Sequence, residues 1–327
     1  LVTETHLQRQ NISHWPPSAE WTRTEGVKMK SWLMLFILIV GTLWAQQNTS
    51  PKPAKTPGGL RSEMLVSTQW LADHLSDPHL VLVHVGGSAG DYHAQHIPGA
   101  RYLATDKFVD SKPPGTELLA PEQLKKNLEE IGISDDSRIV FYADWDPMAT
   151  RLFFTLDYLG RAEHAALLDG GMEQWMVEKR PVSTEDPKIV PGHMTITVHP
   201  EVVAQMDSMA KLVSGDAAGS GVAIIDSRPL KRYRSGHLAG AAPMFWETAL
   251  VSPEKPVLRS PQELKKMLAD HGVTPGKKIV SYCEVGWQAS YTYFLARYLG
   301  FDAAMYDGSY NEWNAAKQPV IRGESAR

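Results

Sequence analysis

Cysteine is nearly absent: the chain of 327 residues contains one, Cys283. A single cysteine excludes an intramolecular disulfide and any cysteine-rich metal site, so its thiol either does chemistry or is hidden as a small hydrophobe. Excess charge is also lacking. With 33 Lys and Arg against 37 Asp and Glu, the formal net charge is −4. That balance provides no global basic field for nucleic acid, which argues against a nucleic-acid function. Long apolar runs are scarce, and the longest candidate, Trp32–Trp44, has 13 residues. It is shorter than the roughly 20 residues that span a bilayer. Hydrophobic residues make up 43% and charged residues 21% of the chain, an ordinary globular composition. The length suits roughly two domains of about 150 residues.

The short apolar run follows Met29-Lys-Ser and precedes Ala45-Gln-Gln, the order of a secretory signal peptide over 29–45, so an exported, periplasmic or secreted protein is expected. Residues 1–28 lie upstream of Met29 as a candidate over-extension. Residues 46–61, rich in Pro, Gly, Thr and Lys, read as a linker.

An internal repeat decides the architecture. Residues 121–160 and 261–300 align without a gap at an offset of 140, with 14 of the 40 pairs identical. Further echoes pair His96-Ile-Pro-Gly-Ala100 with His237-Leu-Ala-Gly-Ala241, and Asp169-Gly-Gly-Met-Glu-Gln-Trp175 with Asp307-Gly-Ser-Tyr-Asn-Glu-Trp313. Two copies of one domain are therefore expected over 62–183 and 195–322. Between them, 184–194 forms a linker that breaks any regular element. Within the second copy, Val222–Asp226, Lys278–Tyr282 and Ala303–Tyr306 read as buried parallel strands. Pro261 opens a helix with Ser260 as its N-cap and Gly272 past its end. Tyr291, Phe294, Leu295, Tyr298 and Leu299 form an apolar stripe on another helix, ended by Gly300. Alternating strands and helices predict an α/β fold, each domain a parallel sheet with helices on both faces.

Cys283 falls where such sheets bind ligands, beyond the carboxyl end of a strand. The loop Cys283-Glu-Val-Gly-Trp-Gln-Ala-Ser290 leads into a helix, whose N-terminus supplies N–H donors and partial positive charge. Those groups are expected to lower the thiol pKa and leave thiolate at neutral pH. Gly286 lets the backbone curl. Trp175 and Trp313, at matching places, read as packing anchors, and Trp287 either walls the pocket or covers the neighbouring domain. His93 and His96 lie three apart without the partners that a metal site needs, so no metal is expected.

Asp226-Ser-Arg228 after a strand, Gly236-His-Leu-Ala-Gly-Ala241, the Cys283 loop and Asp307–Trp313, in this order and duplicated, resemble the two-domain rhodanese-like sulfurtransferases. The resemblance covers about residues 62–322. It implies a catalytic C-terminal copy and an inactive N-terminal one. In agreement, Ala143 stands opposite Cys283, and His84-Val-Gly86 opposite Asp226-Ser-Arg228. It further implies double displacement. Cys283 takes a sulfane sulfur from thiosulfate or a similar donor as a persulfide and passes it to cyanide or a thiol, with no metal or organic cofactor. Arg228 matches the family's substrate-binding arginine. Glu284, Val285, Gly286, Trp287 and Gln288 would face the donor, while Asp226, Arg232, Arg234 and His237 are possible supports. A basic residue often follows the cysteine in thiosulfate-preferring members, whereas this chain has Glu284, which would repel a dianion if it faced the mouth. 3-Mercaptopyruvate is the alternative donor, and a non-catalytic binding module the alternative role. Related phosphatases carry an arginine six positions after the cysteine, where this chain has Ala289.

Overall fold

A computed structural model describes residues 59–324 apart from 113–114, 216–219 and 253–254. The upstream extension, the signal peptide and nearly all of the 46–61 linker lie outside the described residues.

The first copy runs β1 (Leu65–Val66), α1 (Thr68–His74), β2 (Leu80–Gly86), α2 (Ala89–Ala94), β3 (Arg101–Ala104), β4 (Val109–Asp110), β5 (Glu117–Leu118), α3 (Pro121–Glu130), β6 (Arg138–Ala143), α4 (Asp146–Tyr158), β7 (Ala165–Leu168) and α5 (Gly171–Val177). The second repeats it as β8 (Val203–Ala204), α6 (Met206–Ser214), β9 (Val222–Asp226), α7 (Leu230–Ser235), β10 (Ala241–Pro243), β11 (Leu250–Ser252), β12 (Lys255–Leu258), α8 (Pro261–Asp270), β13 (Lys278–Tyr282), α9 (Trp287–Tyr298), β14 (Ala303–Tyr306) and α10 (Ser309–Ala315). The two main sheets have five strands each, ordered β1-β7-β6-β2-β3 and β8-β14-β13-β9-β10, all neighbours parallel. The orders are the same when matched copy to copy. In register, His84 lies beside Tyr142 in one sheet and Asp226 beside Tyr282 in the other, which places His84 and Asp226 at equivalent points.

Local chemistry explains the boundaries. Ser260 accepts the N–H of Glu263, whose carboxylate takes the Ser260 N–H, closing a capping box around the start of α8. Trp175 and Trp313 are buried and donate their indole N–H to the carbonyls of Pro181 (2.7 Å) and Pro319 (3.0 Å). Residues 184–194 hold no helix or strand. They are nevertheless pinned to the first copy, where the Gly192 N–H reaches the Glu129 carbonyl at 2.8 Å and the Met194 N–H the Glu129 carboxylate at 2.7 Å.

Two features go beyond the periodicity. The stripe predicted on α9 is one part of a helix buried nearly all round, because α4 packs on the face opposite its own sheet. Phe153 meets Phe294 edge to face at 5.1 Å, Phe154 meets Tyr293 at 5.0 Å, and the Thr150 and Ser290 hydroxyls lie 2.9 Å apart. Those last two residues are equivalents in the repeat, so this contact sits on its symmetry axis. Asp157 accepts from Tyr293 (2.7 Å) and Arg297 (2.9 Å), closing the seam. One apolar core runs through both copies. The second feature is a pair of antiparallel ribbons, β4–β5 and β11–β12, each reaching into the other copy. The Leu118 N–H donates to Asp307 (3.0 Å), and the equivalent Leu258 N–H to Asp169 (2.9 Å). Paired segments of two to four residues are too short for a period-2 pattern to be seen in sequence.

Candidate active site

Cys283 directly follows β13 and is buried, with three residues between it and α9. Its sulfur accepts the Gly286 N–H at 3.1 Å. Gly286 adopts φ +94°, and a Cβ there would lie 3.1 Å from the Asp307 carbonyl and 3.2 Å from the Arg151 guanidinium. Glycine thus serves both the left-handed turn and the close approach. The cysteine's own N–H reaches the Ser309 hydroxyl at 3.2 Å, and the carbonyls of Cys283 and Glu284 accept the N–H groups of Tyr310 and Asn311, each at 3.0 Å. These bonds stitch the loop to the start of α10.

The first copy grips the other side. The Thr116 hydroxyl donates to the Val285 carbonyl. Fully buried Arg151 pairs with Asp307 at 2.5 Å and donates to the Thr116 carbonyl at 2.8 Å. Both charges lie where water cannot replace a lost partner. Sequence reasoning missed Thr116, Arg151, Ser309 and Trp145. The available signals were an arginine inside the apolar helix 146–158 and the repeated Asp-Gly at 169 and 307.

A cleft of about 300 Å³ opens above the thiol, lined by Trp145, Arg228, Pro229, Arg232, Cys283, Glu284, Val285, Trp287 and Gln288. Trp287 also meets Phe108 of the first copy edge to face at 6.4 Å, so it both walls the cleft and covers the neighbouring domain.

Arg228 lines the cleft with a heavily committed side chain. Its Nε and Nη2 donate to Asp226 (3.0 and 2.7 Å), Nη2 also to the Gly236 carbonyl (2.7 Å), and Nη1 approaches Glu284 at 3.3 Å. The Tyr310 ring lies 4.1 Å beneath the guanidinium. Burial opposes the charge of Arg228, but its bonds to Asp226 outweigh that and hold its pKa above the ordinary value. Asp226 also accepts the Arg228 backbone N–H (3.0 Å) and the Tyr282 hydroxyl (2.7 Å), which makes it a brace. Arg232 is exposed at the cleft and makes no ion pair among the described residues. Arg234 points elsewhere, pairing with Glu324. His237 stacks on Tyr233 at 3.7 Å and bonds its carbonyl at 2.9 Å, as His96 does with Tyr92 in the copy that lacks the cysteine. It therefore braces the Gly236–Ala241 turn and does not reach the cleft.

The thiol pKa departs from expectation. Burial pushes the Cys283 thiol up, and the N–H groups of Ala289, Val285 and Gly286 only partly offset it. The expected lowering counted the donors of the turn but not the desolvation of a sulfur packed against the core.

Two parallel α/β domains sharing one core, with a single cysteine-bearing loop facing a cleft that both copies line, define the class as a tandem-domain, cysteine-centred α/β protein. A sequence model described as "Rhodanese-like domain" matches residues 67–178 and 208–316. The chain belongs to the rhodanese-like family. It is 31% identical to the sulfur carrier protein TtuD of Thermus thermophilus over 82% of this chain and 99% of that one. It is 33% identical to a thiosulfate sulfurtransferase of Azotobacter vinelandii over 76% and 94%. Among solved structures, YnjE superposes with a TM-score of 0.71 at 25% identity, over 80% of this chain and 69% of that one. An anaerobic ergothioneine biosynthesis enzyme from Chlorobium limicola shares the fold at 23% identity, with a TM-score of 0.71 over 80% and 70%. The curated sequence relatives place the chain among sulfurtransferases, acting on small-molecule donors and acceptors.

Proposed function

We propose that the protein is a sulfurtransferase whose Cys283 thiolate attacks the outer sulfur of a sulfane donor such as thiosulfate. The S–S bond of the donor breaks, sulfite leaves with the electron pair, and Cys283 holds the sulfur as a persulfide. A thiolate or cyanide then attacks that outer sulfur and regenerates the Cys283 thiolate. The observation that carries this reading is the Gly286 N–H at 3.1 Å from the Cys283 sulfur, at the base of a cleft with Arg228 and Arg232 in its wall. Loop N–H groups at a helix N-terminus suit the negative charge of thiolate and persulfide alike. Burial raises the free thiol, so the loop N–H groups hold the thiolate against that desolvation, and Arg232 is the exposed cation in the cleft wall available to an incoming anion.

The loop also argues against a phosphatase role. With three residues before α9 and Ala289 buried six positions after the cysteine, it has neither the length nor the arginine to encircle phosphate. Mass spectrometry of intact protein after thiosulfate treatment tests the reading. A gain of one sulfur at Cys283 is expected, and no gain with any sulfur donor contradicts it. We also propose, from residues 29–45, that the protein is exported. N-terminal sequencing of the protein from fractionated cells should find the chain beginning after that run, and a chain retaining it in the cytoplasm contradicts export.

A further inference from the structure

Cys283 itself apart, the charges at the cleft cancel. Arg228 and Arg232 contribute two positive charges, and Asp226 and Glu284 two negative ones. Both carboxylates bear on the same guanidinium: Asp226 occupies two of the Arg228 nitrogens and Glu284 faces the third at 3.3 Å. Arg228 is buried, while the Glu284 side chain is 36% exposed and lines the cleft itself. An anion entering the cleft therefore meets the Glu284 carboxylate beside the cation that it would seek. The other walls are large and apolar, formed by Trp145, Pro229, Val285 and Trp287.

Building on the sulfur-transfer reading, we infer that Glu284 is a specificity-determining residue that cancels Arg228 and sets the site for singly charged sulfane donors with an apolar body, against the thiosulfate dianion. Repulsion from Glu284 scales with the donor's charge, whereas burial of an apolar group between Trp145 and Trp287 is indifferent to it. Organic thiosulfonates isolate the effect, because they keep the sulfane sulfur and replace one anionic oxygen of thiosulfate with carbon. With benzenethiosulfonate, the Cys283 thiolate attacks the outer sulfur, the S–S bond breaks, and benzenesulfinate leaves with the electron pair. Charge balances at two negative on each side.

The experiment measures the second-order rate of sulfur loading on Cys283 by rapid-quench mass spectrometry, with benzenethiosulfonate and with thiosulfate. The wild-type protein should load from benzenethiosulfonate at least about tenfold faster. Glu284→Gln should raise the thiosulfate rate about tenfold and leave the other within about threefold, collapsing the ratio. A change in the loop's structure alone would alter both rates together. Salt gives a second readout on the same proteins. Thiosulfate loading should rise with ionic strength in the wild type, where the attacking thiolate leaves the cleft with a net negative charge, and depend less on it in Glu284→Gln, where that charge is cancelled. A wild-type preference for thiosulfate, or a donor ratio unchanged in Glu284→Gln, overturns the inference while leaving sulfur transfer intact. Loading from neither donor overturns both.

Discussion

The two halves of the molecule have one strand order and reciprocal contacts, yet their clefts are built with opposite chemistry. At the end of β13 stands Cys283, followed by Gly286, whose N–H points at the sulfur. At the end of β6 stands Ala143, and the position equivalent to Gly286 is Asp146. The next residue is Pro147, which has no N–H, where the second copy has Trp287. Where the second copy has the Asp226–Arg228 pair, the first has His84, bonded at 3.0 Å to Asp144. Its cleft, about 530 Å³, is lined by Asp144, Asp146, Glu173 and Glu247 and, among the described residues, by no Lys or Arg. Burial and then the nearby Asp169 and Glu173 push the Asp146 carboxyl up to about 7. One backbone design thus turns an N–H toward a thiol in one copy and gathers carboxylates in the other. The lesson is that the fold provides the place and a handful of loop residues provide the chemistry.

The largest expected effect breaks the comparison outright. Cys283→Ser should abolish sulfur loading while circular dichroism and thermal unfolding stay near wild type, and retained loading would remove Cys283 from the mechanism. Next comes the grip of the first copy on the loop. Arg151→Met leaves the buried Asp307 unpaired and should cost about 3–5 kcal/mol by denaturant titration. A loss under about 1 kcal/mol would show the pair to be dispensable.

A smaller effect separates the two outer arginines. Arg232→Ala should raise KM for an anionic donor several-fold, whereas Arg234→Ala, at a residue committed to Glu324, should leave it unchanged. Equal effects would place the donor elsewhere. The pH dependence sharpens the thiol. Since burial raises the Cys283 pKa, the rate of sulfur loading should climb as pH rises through the ordinary thiol range near 8.5 without levelling there. The same shift means that the folded state holds this proton longer than the unfolded chain. Its contribution to stability is present below the unfolded thiol pKa and is lost as pH rises toward the folded one. A plateau reached by pH 7 would contradict the raised value.

Asp146 gives the smallest effect. Its folded pKa lies above its unfolded one, so the stability it lends is present below about 4 and lost as pH rises through about 7. Asp146→Asn should therefore stabilise the protein at pH 8 and scarcely at pH 4. Equal effects at both values would mean that the carboxyl titrates normally.

Much of this was legible in the sequence where a residue's role is local or repeated. Strands β9, β13 and β14 follow from their apolar runs, and the α8 cap from Ser260. Trp175 and Trp313 stand out because the repeat places them at the same point twice. Contacts that join distant segments leave no local signal. Thr116 lies 169 residues from Val285, and Arg151 lies far from Asp307 in sequence, so their partnership exists only once the two sheets share a core. The commitment of Arg228 was hidden for a related reason. Asp226 and Arg228 are visibly close, but Glu284 meets them only when β9 and β13 lie side by side. The thiol's raised pKa depends on how deeply the loop is packed, which no motif states.

The central claim is that the loop and cleft of the second copy, more than the presence of a thiol, make the protein reactive toward sulfur donors. Moving the cysteine tests it most directly. Intact mass after treatment with thiosulfate and with benzenethiosulfonate should show one added sulfur on the wild-type protein. The double variant Cys283→Ala with Ala143→Cys should show none, because the moved thiol faces Asp146 and Pro147 in place of Gly286 and Trp287. Loading of the moved cysteine at a rate near wild type would contradict the account.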